Sequence, residues 1–274
     1  NKHALLSLVI LIIGYILMPL LFTFSSSEEV KVDNTISIMN YNVRLFNIYD
    51  WIPEKNIETQ IVSLIKEAQP DIICFQEYHP HKNIDLSFYP YKYEKLSGQN
   101  VKYGQAIFSK YPIINSGSIN FKETANNAIF ADVVKGKDTL RIYNVHLQSS
   151  GINADVENLN SENSERLLKR IGKTFKMQQT QAELFIRHKL KSPYKMIVCG
   201  DFNNTAYSYV YRKIKGNLVD AFEEAGNGFG RTFDFKYFPA RIDFILVDAS
   251  FKVHGFKTFE EKLSDHFPIL ATIS

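Results

Sequence analysis

Cysteine is scarce: two residues in 274, Cys74 and Cys199. Two thiols so far apart cannot make a structural metal site, which needs more ligands at shorter spacing. Each lies in an apolar run, Ile72-Ile73-Cys74-Phe75 and Met196-Ile197-Val198-Cys199, and reads as a buried free thiol on a core strand. A disulfide between them stays open, because spacing alone does not argue for one. An excess of one charge sign is also missing. The formal net charge is +3; residues 1–29 hold one Lys and two Glu, so the remainder carries +4. A dedicated DNA-binding domain shows a stronger, clustered excess. The balance neither requires nor excludes a polyanionic substrate. Internal repeats and low-complexity tracts are absent, and nothing in the composition suggests disorder.

Apolar and aromatic residues are plentiful: 45% of the chain is hydrophobic, with 15 Tyr and 21 Phe. Residues 30–274 suffice for one large domain with its own core. Ahead of it, Ala4 to Phe24 reads ALLSLVILIIGYILMPLLFTF, 21 residues without a charge. As a helix it would span roughly 31 Å, the thickness of a bilayer core. Residues 1–29 are therefore expected to be a transmembrane anchor with a short linker, Ser25-Ser26-Ser27-Glu28-Glu29. The rival is a cleaved signal peptide with Lys2 and His3 as its n-region, but the apolar run exceeds the usual span of about 7–15 residues. The chain starts at Asn1 rather than Met, which leaves room for membrane segments upstream. Lys2 before the run and an acidic flank after it place the domain outside the cytoplasm by the positive-inside rule.

Strands are expected at Thr35–Asn42, Asp71–Gln76, Gln105–Ser109, Ala128–Val134, Thr139–Leu147, Tyr194–Cys199, Ala240–Val247 and Ile269–Ile273. A helix is expected at Pro53–Gln69, where Ile57, Ile61, Leu64, Ile65 and Ala68 recur at helical spacing. A second, Glu165–Leu190, would bury Leu167, Ile171, Phe175, Ala182 and Phe185 and expose a basic face including Lys169, Arg170, Lys173 and Lys176. Gly151–Ser164 reads as a long polar loop. The mixture supports an α/β or α+β domain with sheets inside and helices outside.

Polar residues cluster where apolar strands end: Asn42, Glu77, Asn144 with His146, Asp201 with Asn203, and Asp243, while Ser264-Asp265-His266 precedes the last strand. Taken singly, these have bland readings. Gly200-Asp201 is a turn with an Asx cap, Ser264-Asp265 a helix cap, Glu77 an exposed strand end, and Arg241 half of a surface ion pair. Six such clusters at the ends of apolar segments are harder to dismiss.

The ordered set MNYNVR, FQE, YGQAIFS, NVHLQ, GDFN, RIDFIL and SDHFP resembles the endonuclease/exonuclease/phosphatase superfamily from Ile36 to Ile273. Abasic-site nucleases, secreted DNases, neutral sphingomyelinases and inositol-polyphosphate phosphatases belong to it. The resemblance implies a DNase I-like four-layer α/β/β/α sandwich of two mixed sheets, with the active site at one end. It implies Mg²⁺, with Mn²⁺ as substitute, held by Asn42, Glu77 and Asp265, since Mg²⁺ prefers a few hard oxygen ligands. Asp201 matches the residue that orients or deprotonates water, with His266 the competing base. Asn203 matches an amide that hydrogen-bonds phosphate, and Asp243 with His266 an Asp–His pair. His146 stands where DNA-repair members tend to have tyrosine, and would donate to a phosphate oxygen or the leaving group. Asn144, Tyr103-Gly104-Gln105 and Ser109 read as support; Arg231 reads as an exposed loop residue.

The expected activity is metal-assisted attack of water on a phosphate ester: a phospholipid headgroup, an extracytoplasmic nucleic acid or an inositol phosphate. The membrane is the one expected partner besides substrate. The alternatives are a catalytically inactive, membrane-tethered binding module of the same fold and a nucleic-acid binder using the basic helix.

Overall fold

In chain order the elements are α1 (Lys2–Leu17), a 3-10 turn (Met18–Leu20), β1 (Phe22–Thr23), β2 (Ile36–Asn42), a second short turn (Arg44–Asn47), α2 (Ile57–Ala68), β3 (Ile72–Tyr78), β4 (Tyr91–Ser97), β5 (Tyr103–Ser109), β6 (Ile113–Asn120), β7 (Asn127–Lys135), β8 (Asp138–His146), α3 (Ser164–Lys189), β9 (Lys195–Asp201), α4 (Tyr209–Lys215), β10 (Val219–Asp220), α5 (Ala221–Ala225), β11 (Gly228–Phe229), β12 (Asp243–Val247), β13 (Val253–Thr258) and β14 (Ile269–Ile273). The structure, a computed structural model, describes residues 2–24, 34–151 and 164–274. The expected linker Ser25–Glu29 and the polar loop, apart from Gly151 and Ser164, lie outside the described residues.

Two six-stranded mixed sheets run in the orders β13-β14-β2-β3-β5-β4 and β10-β12-β9-β8-β7-β6. Alternating side chains along each strand sort into three cores. Ile36, Ile38, Ile72, Cys74 and Ile107 of the first sheet meet Ile129, Ile142, Ile197, Cys199 and Ile245 of the second. The opposite parity of the first sheet, Met39, Tyr41, Ile73 and Phe75, packs on Ile57, Ile61 and Ile65 of α2. That of the second, Tyr143, Val145, Val198 and Phe244, packs on Ala182 and Phe185 of α3 and on Tyr211 and Ile214 of α4. These layers make the expected α/β/β/α sandwich. Each fully buried Ile or Phe contributes about 1.5–3 kcal/mol of transfer free energy.

Cys74 and Cys199 are both free and both in the central core. Burial, and then the neighbouring Cys199, push the Cys74 thiol well up. Helix α2 stops where Gln69 turns left-handed and its N–H bonds the Ile65 carbonyl, with Pro70 unable to extend it. In α3 the expected stripe is half right. Ala182 and Phe185 are buried, but Phe175 is exposed, and Thr174, Gln178 and Gln181 lie on the buried face instead.

The N-terminal run departs from expectation. It is not one helix through Phe24: α1 has 16 residues, and no helix among the described residues is long and apolar enough to cross a membrane. Pro19, which lacks an N–H, sits in the 3-10 turn that follows. The chain then folds onto the domain. Phe22 and Thr23 pair with Phe229 and Gly228, Leu20 packs against the outer core, and Arg241 donates to the Leu20 carbonyl at 3.1 and 3.3 Å.

Candidate functional site

Strand direction brings the polar strand ends to one end of the sandwich. His146 and Asp201 close the parallel strands β8 and β9 and are register partners, and Asp243, opening the antiparallel β12, pairs with Asp201 from the other side. Three functional candidates thus form one row. On the facing sheet, Asn42 ends β2 beside Gln76 of β3. Glu77 falls where β3 slips register against β5, with φ at +48°. That left-handed conformation is strained for a side-chain-bearing residue, and such strain concentrates at functional sites. Gly200 lies tight against β8: at φ +155° a Cβ would collide with the Val145 carbonyl oxygen.

Asp201 is the hub. Its Oδ2 accepts from Asn42 Nδ2 at 3.1 Å and from Asn203 Nδ2 at 3.1 Å, while its Oδ1 accepts from the Asn203 backbone N–H at 2.7 Å. His146 Nε2 stands 3.6 Å and His266 Nε2 3.7 Å from the same Oδ2. Burial raises the Asp201 pKa to about 6, against the lowering pull of His266. His266 Nδ1 lies 2.8 Å from Asp243 Oδ2. Burial would lower that imidazole's pKa, but Asp243 and Asp201 overcome it and push the value up to about 10. His266 is therefore a cation at neutral pH. His146 is the opposite case, since burial lowers its pKa and Asp201 only partly restores it. One buried ring is held charged and the other neutral.

Glu77 is 3.5 Å from Asn42 Nδ2 and 4.0 Å from His146 Nε2. Its pKa is raised, mainly by burial and against the opposing charge of His266. Asp265 pairs with Arg44 at 3.3 Å and accepts from Ser264 Oγ at 3.2 Å. Glu77, Asp265 and the Asn42 amide oxygen, which accepts from the Arg44 backbone N–H at 3.1 Å, are hard oxygens of the kind Mg²⁺ takes, and a cation beside Glu77 would relieve its buried charge. Asp201, Asp243 and His266 also bring ligand atoms within 4.8 Å of one another. That triad would hold a metal ion only with His266 deprotonated, since a protonated imidazole has no lone pair to give.

Several supporting residues escaped the sequence. Thr232 Oγ1 accepts from the backbone N–H groups of Ile242 and Asp243, both at 3.0 Å, and so fixes the start of β12. Gln178, buried on α3, donates to the carbonyls of Gln148 and Asn203. A polar residue on the inner face of an otherwise amphipathic helix was the available signal. Asn144, read as support, binds the carbonyls of Phe75 and Ala106 and receives Gln76 and Gln105, riveting the two sheets beneath the site. Ser109 binds the Tyr111 carbonyl, and Arg231 pairs with Asp234 and lies over the Phe267 ring. Arg241 is no surface pair. It is 4% exposed, bonds Asp220 at 2.6 Å and sits over the rings of Phe222 and Phe244. His79, His188 and His254 bond the Lys102 carbonyl, Tyr143 and Ser274, respectively, in roles separate from this cluster.

Two packed mixed sheets flanked by helices, with this polar cluster at one end, define a DNase I-like fold. A profile of the Endonuclease/Exonuclease/phosphatase family matches residues 39–266, and the chain belongs to that family. Solved structures share the fold at low identity. An endonuclease/exonuclease/phosphatase from Bacteroides vulgatus superposes with a TM-score of 0.69 at 20% identity, over 88% of this chain and 99% of that one. A humanized D. rerio TDP2 gives 0.66 at 17%, over 88% and 99%. A mannosyl-6-phosphatase from Bacteroides thetaiotaomicron gives 0.64 at 18%, over 87% and 99%. No curated protein sequence matches the chain.

Proposed function

We propose that this chain hydrolyses phosphate esters with a divalent cation, Mg²⁺ or Mn²⁺, and water as nucleophile. One observation carries the reading: a buried carboxylate, Asp201, is held by two amide side chains between a charged and a neutral imidazole. The mannosyl-6-phosphatase among the structural neighbours supports phosphate-ester chemistry on this fold.

Glu77, Asp265 and Asn42 would hold the cation, which when bound supplies positive charge to a phosphate oxygen and acidifies water. Asp201, ionised above a pKa of about 6, takes the proton of the attacking water. His266 is not the base, because Asp243 and Asp201 keep it protonated. Its Nε2–H instead stabilises negative charge growing on the phosphate. His146, neutral, donates a hydrogen bond to a phosphate oxygen or the leaving oxygen. Both amide hydrogens of Asn203 are engaged, on Leu147 O and Asp201 Oδ2, so in this state Asn203 aims the base; touching phosphate would require it to release one of them.

The apolar run Ala4–Phe24 attaches the domain to a membrane; its Lys2 and Glu28-Glu29 flanks put the domain on the extracytoplasmic side where that run crosses the bilayer, which the 16 residues of α1 do not do alone. The substrate classes this favours are a phospholipid headgroup and an extracytoplasmic nucleic acid.

The test assays the full chain on bis(4-nitrophenyl) phosphate and 4-nitrophenyl phosphate with Mg²⁺, Mn²⁺ or chelator, beside Glu77→Ala and His266→Ala. Metal-dependent turnover lost in both variants is expected. No turnover, with Mg²⁺ bound as well by Glu77→Ala as by wild type, would sink the assignment and leave a binding module.

A further inference from the structure

The N-terminal segment meets the domain at the end that carries the polar cluster, not at the far end. Tyr207 OH donates to the Leu17 carbonyl at 3.2 Å. Arg241 holds the Leu20 carbonyl, and β1 pairs with β11. Tyr207 belongs to the loop that leaves Asp201 and Asn203; Arg241 stands two residues before Asp243, so their Cα atoms lie within about 8 Å of each other.

Between the segment and these loops is a cavity of about 300 Å³, walled by Leu20, Leu21, Ala206, Tyr207, Phe238 and Pro239. That volume is at the small end of ligand cavities. Its one charged wall residue, Arg241, is already engaged by Asp220 and Leu20, and apart from Thr205 and the Tyr207 hydroxyl, which bonds Leu17, the remaining wall is apolar. Around it lie large exposed apolar side chains: Phe24 at 79%, Tyr237 at 61%, Phe229 and Phe238 at 53%. Through the Tyr207–Leu17 bond they adjoin the end of α1, whose apolar side chains are exposed along its described length, Leu11 at 69%. Exposed large apolar side chains in this number mark an interaction site. A helix apolar all round fits lipid rather than a protein groove, which would need only one apolar stripe.

We propose that this cavity binds an acyl chain of a membrane lipid, so that the bilayer lies against the mouth of the polar cluster. The aromatic rim sits at the headgroup level, where amphipathic rings are favoured. The substrate class that follows, a phosphate ester carried by a lipid, rests on the phosphoesterase reading; the acyl-chain cavity does not.

The test keeps the two apart. The full chain is reconstituted in phosphatidylcholine nanodiscs in which some lipids carry a diazirine on one acyl chain. After irradiation, adducts are mapped by mass spectrometry. Labelling is expected on α1 and on residues 205–207 and 238–239, and not on the far-end turns at Gly136 and Asp248. In Phe238→Asp, a change at an exposed loop position, labelling of 205–207 is expected to be lost while that of α1 persists. Adducts confined to α1, adducts at the far end, or no adducts would each overturn the proposal. Turnover of a water-soluble ester decides the phosphoesterase reading independently of this map.

Discussion

Two buried charge clusters sit two residues apart on the approach to β12, and they are built on opposite plans. Around Arg241, almost everything is paired. Its guanidinium bonds Asp220 and the Leu20 carbonyl, and Asp220 also accepts from Tyr211, whose hydroxyl lies near Glu223. Glu223 in turn meets Lys215 at 2.5 Å. Around Asp243 the arrangement is incomplete. Two buried carboxylates share one imidazole cation, Asp243 Oδ1 has no hydrogen-bond partner, and Asp201 has an elevated pKa. A satisfied network fixes structure; an unsatisfied one stays poised for a proton and a charged ligand. The contrast separates scaffold from chemistry more sharply than burial does, since Arg241 and Asp243 are both almost fully enclosed.

The comparison breaks most visibly through Asp201→Asn. If this carboxylate is the base, kcat falls on the order of 10³-fold while the melting temperature holds or rises, because a buried charge has been removed. A large loss of melting temperature would make it scaffold instead. Arg241→Ala is the mirror experiment. Stranding Asp220 in the interior costs about 3–5 kcal/mol, read by urea unfolding, and the protein that remains folded keeps its pH profile.

Protonation sharpens the contrast further. The folded pKa of His266 is raised to about 10, above its ordinary value of 6.5, so its cation stabilises the folded state in full below pH 6.5, and that contribution disappears as pH rises through 10. In chelator, the gap in melting temperature between wild type and His266→Gln should be widest below pH 6.5 and closed by pH 10 or above. Activity should fall on the acid side near pH 6 as Asp201 takes up a proton. A gap that widens with pH would mean that His266 is buried neutral. The smallest effect belongs to Thr232→Val, which removes the acceptor for two backbone N–H groups and costs about 1–3 kcal/mol. Its activity should follow the folded fraction.

Much of this was legible in the sequence because polar residues at strand ends interrupt apolar runs. Strands β2, β3, β8 and β9 carry both signals, and each fell within a few residues of its expected place. Strands β4 and β6 did not stand out, since YKYEKLS and IINSGSIN are largely exposed and their alternation is weak. The site's members were readable, but their partnerships were not. That His266 is charged and His146 neutral depends on which carboxylates the sheets bring beside each ring, and register is a tertiary property. Arg241 misled because an Arg before a strand looks solvent-facing, and only Asp220, 21 residues away, brings it inside. The N-terminal run misled at Pro19, where hydropathy alone continued the helix and the backbone turned back to pair with β11.

Water as the nucleophile is tested by turnover of bis(4-nitrophenyl) phosphate in ¹⁸O-labelled water by the full chain with Mg²⁺, with the product analysed by mass spectrometry. One heavy oxygen is expected in the 4-nitrophenyl phosphate released and none in the 4-nitrophenol, with turnover by Asp201→Asn lower on the order of 10³-fold. Label in the phenol, or turnover that survives Asp201→Asn unchanged, would contradict it.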